Sequence, residues 1–209
     1  MDIFIYLFAA LFSVLNPIGT VPIFVGLTQG YSASERSKTS LITSINVFVI
    51  LLISFFVGQY VLSFFGITIT ALRIAGGIII ASSGFSLLNG NFSKNKGINK
   101  KVQKAVETRQ HIALTPLAMP MLAGPGSISL LIAYYQELSE TDASITTSEI
   151  LFSCFAILAV AILIYLVLRS AHYLAKILGS SGIVAISRII GFLTIAIGIQ
   201  YIISAVLSI

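Results

Sequence analysis

Charge is what this sequence has least of. Lysine, arginine, aspartate and glutamate make up 9% of its 209 residues, whereas a soluble domain of this size carries roughly a quarter. A water-facing shell cannot be assembled from so few. Tryptophan is absent, and the single cysteine, Cys154, excludes an internal disulfide. It lies inside an apolar run and reads as a packed thiol. No G-x-x-x-x-G-K-[ST] phosphate loop occurs, and no nucleophile and base form a recognisable catalytic pair. His111 and His172 are not clustered with other ligand types. ATP hydrolysis by that route, other enzyme activity, a metal site and a bound cofactor are therefore not expected. Met1 and Asp2 bring no positive charge ahead of the first apolar stretch, and no convincing small-residue cleavage site follows, so the start reads as a retained span.

What is abundant is apolar chain. Hydrophobic residues make up 57% of the sequence and the mean hydropathy is +1.03. Six apolar stretches stand out, roughly 3–28, 41–64, 67–88, 112–135, 149–168 and 183–207. Each is long enough to approach or exceed the ~20 residues that cross a bilayer as helix. The expected architecture is an all-α integral membrane protein with six transmembrane helices. The lipid bilayer is its solvent.

The net charge of +5 could suggest nucleic acid, but no basic face with interleaved aromatics is present. The charges mark topology instead. Connections 29–40, 89–111 and 169–182 hold Arg36, Lys38, Lys94, Lys96, Lys100, Lys101, Lys104, Arg109, Arg169 and Lys176. The opposite side has no Lys or Arg and carries Asp2, Glu137, Glu140 and Asp142, with Glu149 opening the fifth span. By the positive-inside rule both termini face away from the cytoplasm.

Two basic residues remain, Arg73 and Arg188, inside spans three and six. Their surroundings match, RIAGGIIIASSG against RIIGFLTIAIG, with Gly77 and Gly84 seven apart like Gly191 and Gly198. This is an internal repeat. Three spans per half is odd, so two such halves insert in opposite orientations, as in many secondary transporters. The division is 1–90 for the first three-span repeat, 91–111 for a basic cytoplasmic linker and 112–209 for the second repeat. The glycines read as close helix contacts. The arginines read as interfacial anchors that snorkel, or as gating or domain-pairing residues.

All five prolines fall in two clusters, NPIGTVPIF at 16–24 and TPLAMPMLAGPGSIS at 115–129, in the corresponding first and fourth spans. Proline removes a backbone donor and clashes with the preceding turn. Glycine loosens the chain further. Spans one and four are therefore expected to be discontinuous, and exposed backbone at membrane depth is tolerated only against protein or a polar cavity. A half-helix starting near Gly19 or Gly126 offers free amides and a positive dipole end to a carboxylate; a carbonyl-lined break suits an ammonium group. Kinks needed only for packing are the plainer alternative. Pro17 and Pro22 are five apart, as are Pro120 and Pro125, yet Asn16-Pro17 could instead match Gly124-Pro125. Asn46, Gln59 and Gln200 read as interhelical hydrogen-bond formers.

These motifs resemble the MarC family of bacterial inner-membrane proteins, as do RIAGG at 73–77 and RIIG at 188–191; the resemblance runs over the whole chain. It implies kinship with the lysine-exporter superfamily, whose SnatA-type branch carries small neutral amino acids such as glycine and alanine. By that resemblance a substrate role falls on Asn16, Pro17, Gly19 and Thr20, and on Gly124, Pro125, Gly126 and Ser127, with Pro120 part of the second break. A passive channel for small solutes and a non-transporting scaffold that uses the basic loop are the competing readings.

Overall fold

The computed structural model describes residues 2–28, 30–89, 112–141 and 147–207. The linker 91–111 with its six basic residues, His111 and Asp142 lie outside the described residues. Every regular element among the described residues is helical. In order they are α1 (Asp2–Leu15), α2 (Pro17–Leu27), α3 (Ala33–Phe65), α4 (Ile69–Leu88), α5 (Ala113–Leu122), α6 (Pro125–Thr141), α7 (Thr147–Arg169) and α8 (Ala171–Leu207).

Five described segments are long and apolar enough to cross a membrane: Ile3–Val21, Ala33–Phe65, Ile69–Leu88, Thr147–Arg169 and Val184–Leu207. The remaining expected stretch, 112–135, is two pieces, α5 and α6, neither of which has that length on its own. Its prolines and glycines divide it. Two connections differ from expectation. Residues 33–40, taken as loop, are the first turns of α3, started by a capping box in which Ser32 and Glu35 exchange hydrogen bonds. At 33 residues and 1.5 Å per residue, α3 is about 50 Å long, well beyond a ~30 Å hydrocarbon core. Residues 169–182 are also mainly helix: α8 begins at Ala171 and bends at Gly179, whose φ of 61° suits only glycine without strain.

Large apolar side chains face outward as well as inward. Leu41, Ile45, Val49, Ile53, Tyr60 and Phe64 along α3 are exposed, a stripe at helical spacing that fits lipid contact. The interior is mainly apolar, and the Ser and Thr buried in it mostly bond the carbonyl four residues back on their own helix, as Thr28, Ser54 and Thr194 do. Ser44 reaches across instead, from α3 to the carbonyl of Ala161 on α7 at 2.7 Å.

The tightest packing joins α4 and α8. These helices run antiparallel and touch backbone to backbone. A methyl group added at Gly77 would come within 2.6 Å of the Gly198 carbonyl oxygen, and one at Gly84 within 2.6 Å of the Gly191 carbonyl oxygen. Glycine is required because only its missing Cβ allows that approach. Around this seam, α3 packs on α5, α6 and α7, while α7 packs on α1, α2 and α3. α4 also packs on α6, as α8 does on α2.

Candidate functional site

The first break is made by one residue. Asn16 donates its amide to Phe12 as the last turn of α1, then takes φ 43° and ψ 66°. Asparagine is one of the few side chains that enters this left-handed region readily. Its Oδ1 accepts from the Gly19 amide at 3.1 Å, which caps α2, with Pro17 at the first helical position. Thr20 donates to the Asn16 carbonyl at 3.2 Å. Pro22 has no N–H, so the carbonyl of Ile18 loses its helical partner.

The second break is spread over ten residues. Thr115 and Met119 adopt extended backbone (φ −124°, ψ 120° and φ −129°, ψ 128°). Each precedes a proline, which disfavours helical geometry at the residue before it. Pro116 cannot donate to the carbonyl of Ile112, and Leu117 does so instead at 3.3 Å. That five-residue step widens the turn into a π-type helix. Ala123 repeats the step onto Ala118 at 2.8 Å. α6 then starts at Pro125, and Ser127 donates to the Gly124 carbonyl at 2.9 Å. Gly124-Pro125 thus occupies the position before and at the start of its helix that Asn16-Pro17 occupies in the first break.

The two breaks are neighbours. A methyl group at Gly126 would meet Val14 at 3.5 Å and Ile80 at 3.0 Å. Further along the same helices, the Tyr6 and Tyr134 rings lie 6.3 Å apart. α1 and α6 therefore run antiparallel, and the C-terminal end of α1 sits beside the N-terminal end of α6. Asn16, Thr20 and Ser127 are each no more than 1% exposed. Pro17, Gly19, Gly124 and Gly126 are also buried, while Pro125 is exposed. The side chain of Pro120 lies outside the described residues. Asn16 Nδ2 is buried and has no hydrogen-bond partner among the described residues. It lies over the bare face of Gly19, where any Cβ would clash with it.

The arginines are not part of this cluster. Arg73 is 3.5 Å from Glu137 on α6, near the α3–α4 turn, so it ties two helices rather than only reaching for the interface. Arg188 is exposed and lines a shallow cavity with Ser181, Val184 and Ala185. Gln200 bonds Ser204 on its own helix rather than another helix.

Two polar groups beside the break were not singled out from sequence, Ser13 and Thr194. Their hydroxyls are 3.0 Å apart, and Thr194 also donates to the Ser13 carbonyl at 3.0 Å. Ser13 lines a groove of about 520 Å³ between α1 and α8, together with Tyr6, Gln200 and Tyr201. The only sequence signal was a serine three residues before Asn16.

Among known proteins, the MarC family integral membrane protein profile matches residues 1–209. A UPF0056 membrane protein of Buchnera aphidicola subsp. Schizaphis graminum is 40% identical over 200 residues, covering 96% of this chain and 90% of that one. The UPF0056 inner membrane protein MarC of Escherichia coli (strain ATCC 8739) is 36% identical over 200 residues, covering 93% and 89%. The UPF0056 membrane protein YhcE of Escherichia coli K12 is 36% identical over 203 residues, covering 95% and 89%. No solved structure gives a significant match.

Proposed function

The chain belongs to the MarC family of integral membrane proteins, and from that premise we propose that it is a secondary transporter of small neutral amino acids such as glycine and alanine. It works by alternating access around the two broken spans. The observation that carries this reading is Asn16 Nδ2, a buried donor without a partner among the described residues. An unsatisfied buried amide donor costs roughly 1–3 kcal/mol. A substrate carboxylate arriving at the break would satisfy it.

The surroundings support the same ligand. The α2 and α6 N-termini bring positive dipole ends. The ends of α1 and α5, with the Ile18 carbonyl, bring acceptors for an ammonium group. Val14, Ile79 and Ile80 crowd Gly126, which favours small side chains. Asn16, Pro17, Gly19 and Thr20 form one wall and Gly124, Pro125, Gly126 and Ser127 the other, with Pro120 shaping the approach of α6.

The halves are read as inverted three-span repeats, with six crossings and both termini periplasmic. A shift of 114 residues takes Gly77 to Gly191 and Gly84 to Gly198, so it exchanges the contacts Gly77–Gly198 and Gly84–Gly191. A two-fold axis in the membrane plane would have this effect.

The test is glycine and alanine flux in proteoliposomes, with Asn16→Ala and Gly126→Val beside the parent protein. Saturable flux with counterflow, lost in both variants while they stay folded, supports the carrier. Linear flux without counterflow would favour a channel, and absence of flux from the parent would remove the substrate assignment.

A further inference from the structure

A second polar cavity lies away from the breaks, at the end of the bundle that carries the α3–α4 turn. It measures about 440 Å³ and is lined by Gln59, Ser63, Thr68, Thr70, Arg73 and Gln136, together with apolar neighbours. Three helices build it. The last two turns of α3 give Gln59 and Ser63. The start of α4 gives Thr70 and Arg73, and Thr68 caps that helix by accepting from the Ala71 amide at 3.2 Å. α6 gives Gln136. The N-terminal end of α4 and the Arg73 guanidinium both bring positive potential to this cavity. Arg73 is 15% exposed and its partner Glu137 is 66% exposed.

The ion pair is loose. At 3.5 Å it is longer than the ~2.7–2.9 Å of a charge-assisted hydrogen bond. A guanidinium has five N–H donors in a planar fork that fits a carboxylate. A mostly buried positive fork lining a polar cavity, with an exposed carboxylate next to it on α6, is complementary to a small molecule with one charge of each sign on adjacent carbons. We infer that this cavity is a loading site for the zwitterionic head of an α-amino acid, with Arg73 holding the carboxylate and Glu137 the ammonium group. The inference rests on the proposed carrier function and adds a second station to it. The position suits passage to the first: Glu137 follows Tyr134 on α6 by three residues, Tyr134 lies beside Tyr6 at 6.3 Å between ring centroids, and Tyr6 lines the groove that also contains Ser13. The matching arginine of the other half, Arg188, is exposed and lines a smaller cavity of about 340 Å³, whereas Arg73 is mostly buried beside Glu137, so the station belongs to one end of the molecule.

The test uses the full chain purified in detergent and titration calorimetry with glycine, acetate and methylamine. The background is Gly126→Val, which fills the central break and leaves the outer cavity untouched. Glycine is expected to bind this protein more tightly than acetate, and acetate more tightly than methylamine. Adding Arg73→Gln is expected to weaken glycine about tenfold or more and Glu137→Gln several-fold, while Arg73→Lys retains most binding. Glycine affinity unchanged by Arg73→Gln would overturn the assignment. So would no glycine binding to the folded Gly126→Val protein, or acetate and methylamine binding as tightly as glycine. Should Arg73→Gln not fold, the double variant Arg73→Lys, Glu137→Gln takes its place, and parental affinity there would overturn the assignment equally. Failure of the parent to carry amino acids in proteoliposomes would sink the carrier reading and leave this titration readable.

Discussion

Glycine serves opposite purposes in two regions of this protein. In the seam between α4 and α8, Gly77, Gly84, Gly191 and Gly198 face backbone on the opposing helix, and an added methyl group at any of them would meet a main-chain atom at 2.6–2.8 Å. At the breaks, the atoms facing Gly19 and Gly126 are side chains, Asn16 at one and Ile80 and Val14 at the other. Side chains can turn aside and helix backbones cannot. The seam is therefore fixed and the breaks have more freedom, so under the proposed carrier function the seam is the pivot and the breaks respond to substrate. The breaks differ in turn from each other. The first is one left-handed asparagine with a side-chain cap, the second a ten-residue wide turn.

Separating stability from transport would sharpen or break this comparison. The largest effect is expected at the seam. Gly84→Val or Gly198→Val forces the two helices apart, and a loss of about 3 kcal/mol or more is expected, read as a fall in the detergent melting temperature or as failure to accumulate in the membrane. Retained stability there would mean the seam is not the pivot. Next is Asn16→Ala. It removes the cap of α2 at a cost of about 1 kcal/mol and the orphaned donor with it, so glycine flux should fall by about tenfold or more while the fold survives. A loss of flux no greater than the loss of folded protein would reduce Asn16 to a cap. Gly126→Ala should follow, lowering flux several-fold with stability changed by about 1 kcal/mol or less, because Ile80 at 3.0 Å has only to shift slightly.

The smallest effect lies outside both regions. His172, on the short helix before Gly179, has its pKa lowered by partial burial and then by the positive charge of Arg36. The unfolded chain binds this proton more readily, so the contribution to stability is complete above the ordinary histidine pKa of about 6.5 and is lost as pH falls below it. His172→Gln should remove a shallow acid-side decline in melting temperature and leave flux unaltered. A change in flux would place this end of the molecule in the transport cycle.

Much of this was legible because membrane solvation exaggerates local signals. Apolar stretches declared the spans, and prolines declared the breaks, since a missing donor cannot be supplied by water in hydrocarbon. Thr115 and Met119 are extended because Pro116 and Pro120 follow them, a rule that needs only sequence. The equal spacing of Gly77 and Gly84 and of Gly191 and Gly198 announced close packing, though not that 77 meets 198. The rest depended on distance in sequence. Arg73 meets Glu137 sixty-four residues away, and Ser13 meets Thr194 at a separation of 181; neither pairing leaves a periodic trace. The helix at 171–178 was hidden because Arg169 and Lys176 mark its stretch as a basic connection. The left-handed turn at Asn16 could be guessed from its residue type but not placed, because Pro17-Pro22 and Pro120-Pro125 offered a competing register.

The most direct measurement is counterflow of labelled glycine in proteoliposomes, comparing the parent chain with Asn16→Ala at matched folded protein. The account predicts saturable, exchange-stimulated flux in the parent and a loss of about tenfold or more in the variant. Equal flux from both, or none from the folded parent, would contradict it.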